Sequence, residues 1–117
     1  MKSIVVIGAS SGGLQAVSSL VGKLPKDMDA ALFLVIHVAP MAKSILPELL
    51  SRAGKLKALH VRRRRRIKPN LVHVAPPNRH LVIKDGFVTL SSGPRENRFR
   101  PSIDALFRRR QKRTARV

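Results

Sequence analysis

Two side chains in the first third of the chain stand where chemistry can be done. Ser10 lies inside Gly8-Ala9-Ser10-Ser11-Gly12-Gly13, directly after the β-branched run SIVVI of residues 3–7. A serine on a sharp, glycine-flanked turn between a buried strand and a helix has three uses. The turn can cradle a phosphate with the N–H groups of the helix N-terminus, or it can bind a dinucleotide. Ser10 can also be a nucleophile, with the N–H groups of Ser11, Gly12 and Gly13 around it as an oxyanion hole. The second side chain, His37, ends the next apolar run, ALFLVIH. Imidazole is the side chain best suited to accept a hydroxyl proton near neutral pH. Taken alone, Ser10 reads equally as nucleophile or helix cap, and His37 as a hydrogen-bonded histidine at a strand end.

The turn excludes several chemistries. A nucleotide-binding G-x-x-x-x-G-K-[ST] loop needs a lysine after its last glycine, and none is present. G-x-G-x-x-G is not met either, because Ala9 and Ser10 follow Gly8. The GASSG string is similar to the turn of the short-chain dehydrogenases, but their catalytic tyrosine cannot exist in a chain without tyrosine.

The elements that must position Ser10 and His37 follow from periodicity. Strand 3–7 leads through the turn into a helix with an apolar stripe at Leu14, Val17, Leu20 and Val21, ended by Pro25. A buried strand over 31–37 follows, then a helix capped by Ser44 and bearing Ile45, Leu46, Leu49 and Leu50. Alternating strands and helices of this kind make a parallel α/β sheet, whose neighbouring strands present their carboxyl ends on one edge. Beyond residue 70, strands are expected at Leu71–Ala75, Leu81–Ile83 and Phe87–Leu90. Asp85-Gly86 marks a β-hairpin within 71–92. Ser102 is expected to cap a helix over 103–107, after which the periodicity stops at RRRQKRTARV. The fold class is α/β, a doubly wound (Rossmann-like) parallel sheet, incomplete on its C-terminal side. One domain spans 1–107, and 108–117 is a disordered basic tail.

Charge is unevenly spread over the 117 residues. Lys and Arg number 24 against six acidic residues, a formal net charge of +18. Residues 1–60 hold seven basic and three acidic groups, whereas residues 61–117 hold seventeen and three. Arg62–Arg66 form an unbroken run, which supports nonspecific binding of nucleic acid or an anionic surface. Only four aromatic residues are present, all Phe, so stacking platforms for single strands are nearly excluded. The absence of cysteine removes thiolate chemistry and zinc–thiolate sites. The spacings of His60, His73 and His80 match no common metal pattern, and His73 reads as a packing residue in its strand. No apolar stretch is long enough to span a bilayer. A soluble cytoplasmic protein without metal or cofactor is expected.

Four segments, IVVIGASSGG, IHVAP, VHVAPPNRHLVI and ENRFRPSIDALF, occur in an order and spacing that resemble the catalytic domain of the CheB-type protein-glutamate methylesterases of bacterial chemotaxis. The resemblance runs from about Ser3 to Phe107. It implies a serine hydrolase that removes methyl groups from glutamate esters on chemoreceptors, with glutamine deamidation in some members. Ser10 then matches the nucleophile, Ser11 the hydroxyl residue beside it, and His37 the catalytic histidine. His80, in the APPNRH segment, and Arg100, in the R-P-S-x-D segment, are implied to line the site.

The family's third catalytic residue, an aspartate in a T-G-M-G-x-D-G-like turn, has no counterpart here. Its receiver domain is likewise expected to be absent, because Met1 lies two residues before the first strand. Truncation of the domain and impaired or lost activity are therefore expected. In serine proteases, replacing the triad aspartate costs about 10⁴ in rate. The alternative is a non-catalytic, Arg-rich polyanion-binding protein on a decayed hydrolase scaffold.

Overall fold

The chain's first strand, β1 (Ser3–Ala9), is a β-branched run that pairs in parallel with β2 (Ala30–Ile36). The computed structural model describes residues 3–36, 40–76, 79–91, 103–105 and 111–116. Between the two strands lie a 3-10 turn over Ser11–Gly13 and helix α1 (Leu14–Gly22). Helix α2 (Pro40–Ala53) then leads to β3 (Lys57–His60). Two short strands follow, β4 (Arg65–Arg66) and β5 (Leu71–Val74). Next come β6 (His80–Lys84), β7 (Phe87–Ser91), β8 (Ile103–Ala105) and β9 (Gln111–Arg116).

The five-stranded sheet has the order β3-β5-β2-β1-β9 and is parallel throughout. A parallel sheet is covered on both faces, so its central strands read as unbroken apolar runs. β2 shows this directly, with Ala31, Leu32, Phe33, Leu34 and Ile36 all buried. The two-residue period of a strand divides them between two cores. Leu32, Leu34 and Ile36 join Ile7, Val72 and Val74 under Val17 and Val21 of α1 and Leu46 and Leu50 of α2. Ala31 and Phe33 face the other way, with Ile4, against Leu81, Ile83 and Val88 of the second sheet. That sheet has the order β4-β7-β6-β8. Both described helices therefore lie on one face of the parallel sheet and the small sheet lies on the other. Right-handed crossovers require this while the strand order advances in one direction from β1 through β2 to β3.

Three backbone details fix the layers. The C-terminal ends of α1 and α2 meet without side chains between them. A Cβ on Gly54 would stand 2.7 Å from the Val21 carbonyl oxygen, and one on Gly22 would stand 2.7 Å from that of Ala53. Asp29 and Asn70 both adopt positive φ (54° and 61°), which short polar side chains tolerate better than most. The Asn70 N–H donates to the Ala30 carbonyl at 2.8 Å, and the Asp29 N–H donates to Asn70 Oδ1 at 3.2 Å. Asp85 and Gly86, at φ 54° and 83°, make the two-residue turn that joins β6 to β7.

The parallel α/β sheet expected from periodicity is present, as is the hairpin around Asp85-Gly86, formed by β6 and β7. Residues 71–74 form an interior strand between β3 and β2, buried at every position, as a strand covered on both faces must be. Three local expectations are corrected. α2 starts at Pro40 rather than at a Ser44 cap, because proline's fixed φ suits the first helical position. Residues 103–105 form β8 alongside β6 instead of a helix, since the outer edge of β6 offers unpaired backbone groups. Ser102 itself lies outside the described residues. Of the tail 108–117, residues 111–116 form β9 along the otherwise open edge of β1, so the sheet extends beyond residue 107.

Candidate active site

Ser10 follows the last residue of β1 and precedes the helical turn that opens α1. Strand order is what makes this position special. On one side of β1 the sheet continues to β2 through α1, and on its other side stands β9. The order reverses at β1, and in open α/β sheets ligands bind at the carboxyl ends of the strands beside such a reversal.

The backbone at Ser10 is extended, with φ −91° and ψ 177°, and its carbonyl accepts the N–H of Gly13 at 2.8 Å. Gly13 is thus committed to closing the turn. The N–H groups of Ser11 and Gly12 precede the first helical hydrogen bond and are the orphan donors of the helix start. Ser10 is exposed, and its hydroxyl makes no capping bond to the helix. The turn that the sequence left open between cap and nucleophile therefore leaves the hydroxyl available at the sheet edge. A Cβ on Gly8 or Gly12 would meet nothing within 4 Å, so neither is held as glycine by crowding among the described residues.

The partner expected for Ser10 follows β2. Ala9 and Ile36 are register partners on adjacent parallel strands, so β1 and β2 end level with each other. His37 is the next residue in sequence and lies outside the described residues, as does Arg100. His80 is described: it is half-buried, begins β6 and stands opposite Ser91 of β7. Five residues earlier, just past β5, Ala75 donates its N–H to the Leu34 carbonyl at 3.0 Å.

His73 belongs to the core. Its Nδ1–H donates to the Leu32 carbonyl at 2.8 Å, and its ring stacks on Phe33. Burial lowers its pKa from 6.5 to about 4, and the Arg65 charge adds to that lowering. The backbone carbonyls of Leu32 and Leu71 oppose the shift. His73 is therefore a neutral packing residue, as its strand position suggested. Four described carboxylates lie elsewhere. Asp27 and Asp29 precede β2, at the amino edge of the sheet, and Asp85 sits at the hairpin tip. Glu48 pairs with Arg52 on the exposed side of α2 at 2.8 Å.

The family model described as CheB methylesterase matches residues 5–116. A putative protein-glutamate methylesterase/protein-glutamine glutaminase of Leptospira interrogans is 36% identical over 104 residues, covering 88% of this chain and 54% of that protein. The corresponding enzyme of Maricaulis maris is 34% identical over 108 residues, 89% of this chain and 27% of that protein. The crystal structure of the Thermotoga maritima CheB methylesterase catalytic domain superposes with a TM-score of 0.78 at 30% identity, covering 86% of this chain and 56% of that one. The chain thus spans about half the length of the Leptospira relative and of the Thermotoga catalytic domain. Among the described residues no helix is long and apolar enough to cross a membrane.

Proposed function

The chain belongs to the CheB methylesterase family, and on that premise we propose that it carries the nucleophile half of a serine esterase acting on glutamate methyl esters of chemoreceptors. The supporting observation is an exposed, uncapping Ser10 hydroxyl at the carboxyl end of β1, where the strand order reverses.

In this proposal Ser10 Oγ attacks the ester carbonyl while His37 accepts its proton. The N–H groups of Ser11 and Gly12 hold the negative oxygen of the tetrahedral intermediate. Collapse expels methanol, protonated by His37, and leaves an acyl-enzyme. Water, activated by the same histidine, then releases the glutamate carboxylate. With a glutamine side chain the leaving group is ammonia, and the steps are otherwise the same. His80 and Arg100 are proposed to line the substrate path. No metal or cofactor is needed for any step, and the cytoplasm is the compartment that goes with the substrate.

Asp27, Asp29, Glu48 and Asp85 lie away from the carboxyl edge, and the family's aspartate turn has no match within residues 1–117. Turnover by this chain is accordingly expected to be slow. Losing that aspartate costs about 10⁴ in serine proteases. Methanol release from methylated receptor, compared with Ser10→Ala, tests the proposal. A rate for the unsubstituted chain above that of the variant supports it, and equal rates end it. The second reading, a non-catalytic polyanion binder, has in its favour the exposure of Arg62, Arg63, Arg64 and Arg66.

A further inference from the structure

The outward face of the small sheet carries a row of side chains set abreast by the sheet register. Arg66 is the cross-strand partner of Phe87, and Phe87 that of Lys84. Directly opposed residues share a face with their Cβ atoms about 5 Å apart. The inward row beside it is apolar, with Val88 and Ile83 buried against the parallel sheet. Arg64 joins the outward row. Its guanidinium carbon lies 3.8 Å from the centre of the Phe87 ring, and that of Arg66 lies 4.8 Å away. One aromatic ring therefore holds two planar, forked donors. Each contact attracts the cation to the ring face and reduces the rotamer freedom that a partner would otherwise have to freeze.

Arg62, Arg63, Arg64, Arg66 and Lys84 are all exposed, and among the described residues none of them meets a carboxylate. Arginine forks match carboxylate and phosphate equally well in geometry, so the surroundings must choose between them. The ring that could stack on a base is already covered by Arg64. The face is a shallow sheet, with no helix or projecting ribbon described on it that could enter a duplex groove. Its position also favours a protein partner. The arginine run starts two residues past the end of β3, whose His60 pairs with Val74, which pairs with Leu34, which pairs with Ile7. Three strand spacings of about 4.8 Å thus separate β3 from β1 along the carboxyl edge where Ser10 lies.

We propose that Arg62, Arg63, Arg64 and Arg66, together with Phe87 and Lys84, form a docking surface for an acidic protein segment whose glutamates flank the side chain presented to Ser10. The identity of that segment rests on the esterase reading above. Each hydrolysis turns a neutral ester into a carboxylate. The product segment is then more acidic than the substrate and is held more tightly by this face.

Binding separates this proposal from the esterase reading. The full chain is titrated with a fluorescent glutamate-rich helical peptide, with its glutamine counterpart, and with a short DNA duplex. The glutamate peptide is expected to bind, and the glutamine peptide to bind at least about tenfold more weakly. Arg64→Glu/Arg66→Glu should weaken the glutamate peptide by about tenfold or more. Lys23→Glu/Lys26→Glu, an equal charge change at exposed sites near the end of α1, should weaken it by less than about threefold. Equal losses in the two variants overturn the proposal, as does a duplex that binds more tightly than the peptide and suffers the same selective loss. Amide shifts of the unsubstituted chain give a second readout, independent of whether the reversed variant folds. Peptide-induced shifts are expected at 62–68 and 84–88, and shifts confined elsewhere overturn the surface. Methanol release without peptide binding at this face sinks the surface alone. Peptide binding without methanol release sinks only the esterase.

Discussion

His73 and Phe33 lie face to face between the two sheets, with ring centroids 4.5 Å apart and planes inclined by 15°. The imidazole is fully buried and donates from Nδ1 to the Leu32 carbonyl, so its Nε2 lone pair faces the interior without a described partner. Such a ring is stable only when neutral.

Its titration sets an acid limit on folding. The folded pKa is about 4, below the 6.5 of an unperturbed histidine, so the unfolded chain binds the proton first as pH falls. Stability from this group is complete above pH 6.5, is lost between 6.5 and about 4, and changes no further below that. The loss amounts to about 3 kcal/mol. Urea unfolding at several pH values, comparing the chain with His73→Leu, isolates the effect. The stability advantage of the native residue over the leucine variant should shrink across that window, and a constant difference would contradict the assignment.

Gly54→Ala should be among the most damaging small substitutions. Its new methyl would lie 2.7 Å from the Val21 carbonyl oxygen and 2.9 Å from Gly22 Cα, and neither can turn aside as a flexible side-chain tip would. Separating the helix ends should cost about 1–3 kcal/mol. Gly22→Ala opens the same crossing, so the double variant should lose less than the sum of the two singles, as sites sharing a contact do. Denaturant midpoints of the three variants check both statements.

Asn70 has two separable roles, φ of 61° and acceptance of the Asp29 N–H. Asn70→Gly keeps the backbone angle and loses the acceptor, whereas Asn70→Ala loses both. Each role is worth about 1 kcal/mol, so alanine should lower stability more than glycine does. Equal losses would show that only the hydrogen bond matters.

Ser10→Ala should abolish any methanol release and leave thermal stability within about 0.5 kcal/mol of the parent. A helix-capping serine would instead cost about 1 kcal/mol on substitution. Calorimetry beside the activity assay therefore tests the absence of a cap independently of catalysis.

The first strand–turn–helix–strand unit was legible because its signals are local. The SIVVI run, the glycine turn and the 14–21 stripe each sit within a dozen residues. Asp85-Gly86 was legible for the same reason. The pairing of Arg66 with Phe87 was not, since β4 has two residues and carries no alternation to detect. LVHV reads as a strand, yet it says nothing of its neighbours, and only the sheet shows β5 lying between β3 and β2. The 103–105 segment shows the opposite failure, where a helix-like cap and apolar spacing gave way to an unpaired edge on β6. At the site, the level ends of β1 and β2 follow from parallel pairing. The commitment of Gly13 to the turn required the geometry.

The pairing of β9 with β1 joins segments from opposite ends of the chain, with Ser3 aligned to Gln111. Closing so long a loop is entropically unfavourable until the intervening chain has condensed. The sheet is thus expected to assemble in order, with β1, β2, β5 and β3 forming an early nucleus and β9 zipping on last. In hydrogen exchange, β9 amides should open first and those of β2 last. The amino-terminal strand would then spend part of its life with an open flank, available to any segment able to pair with it.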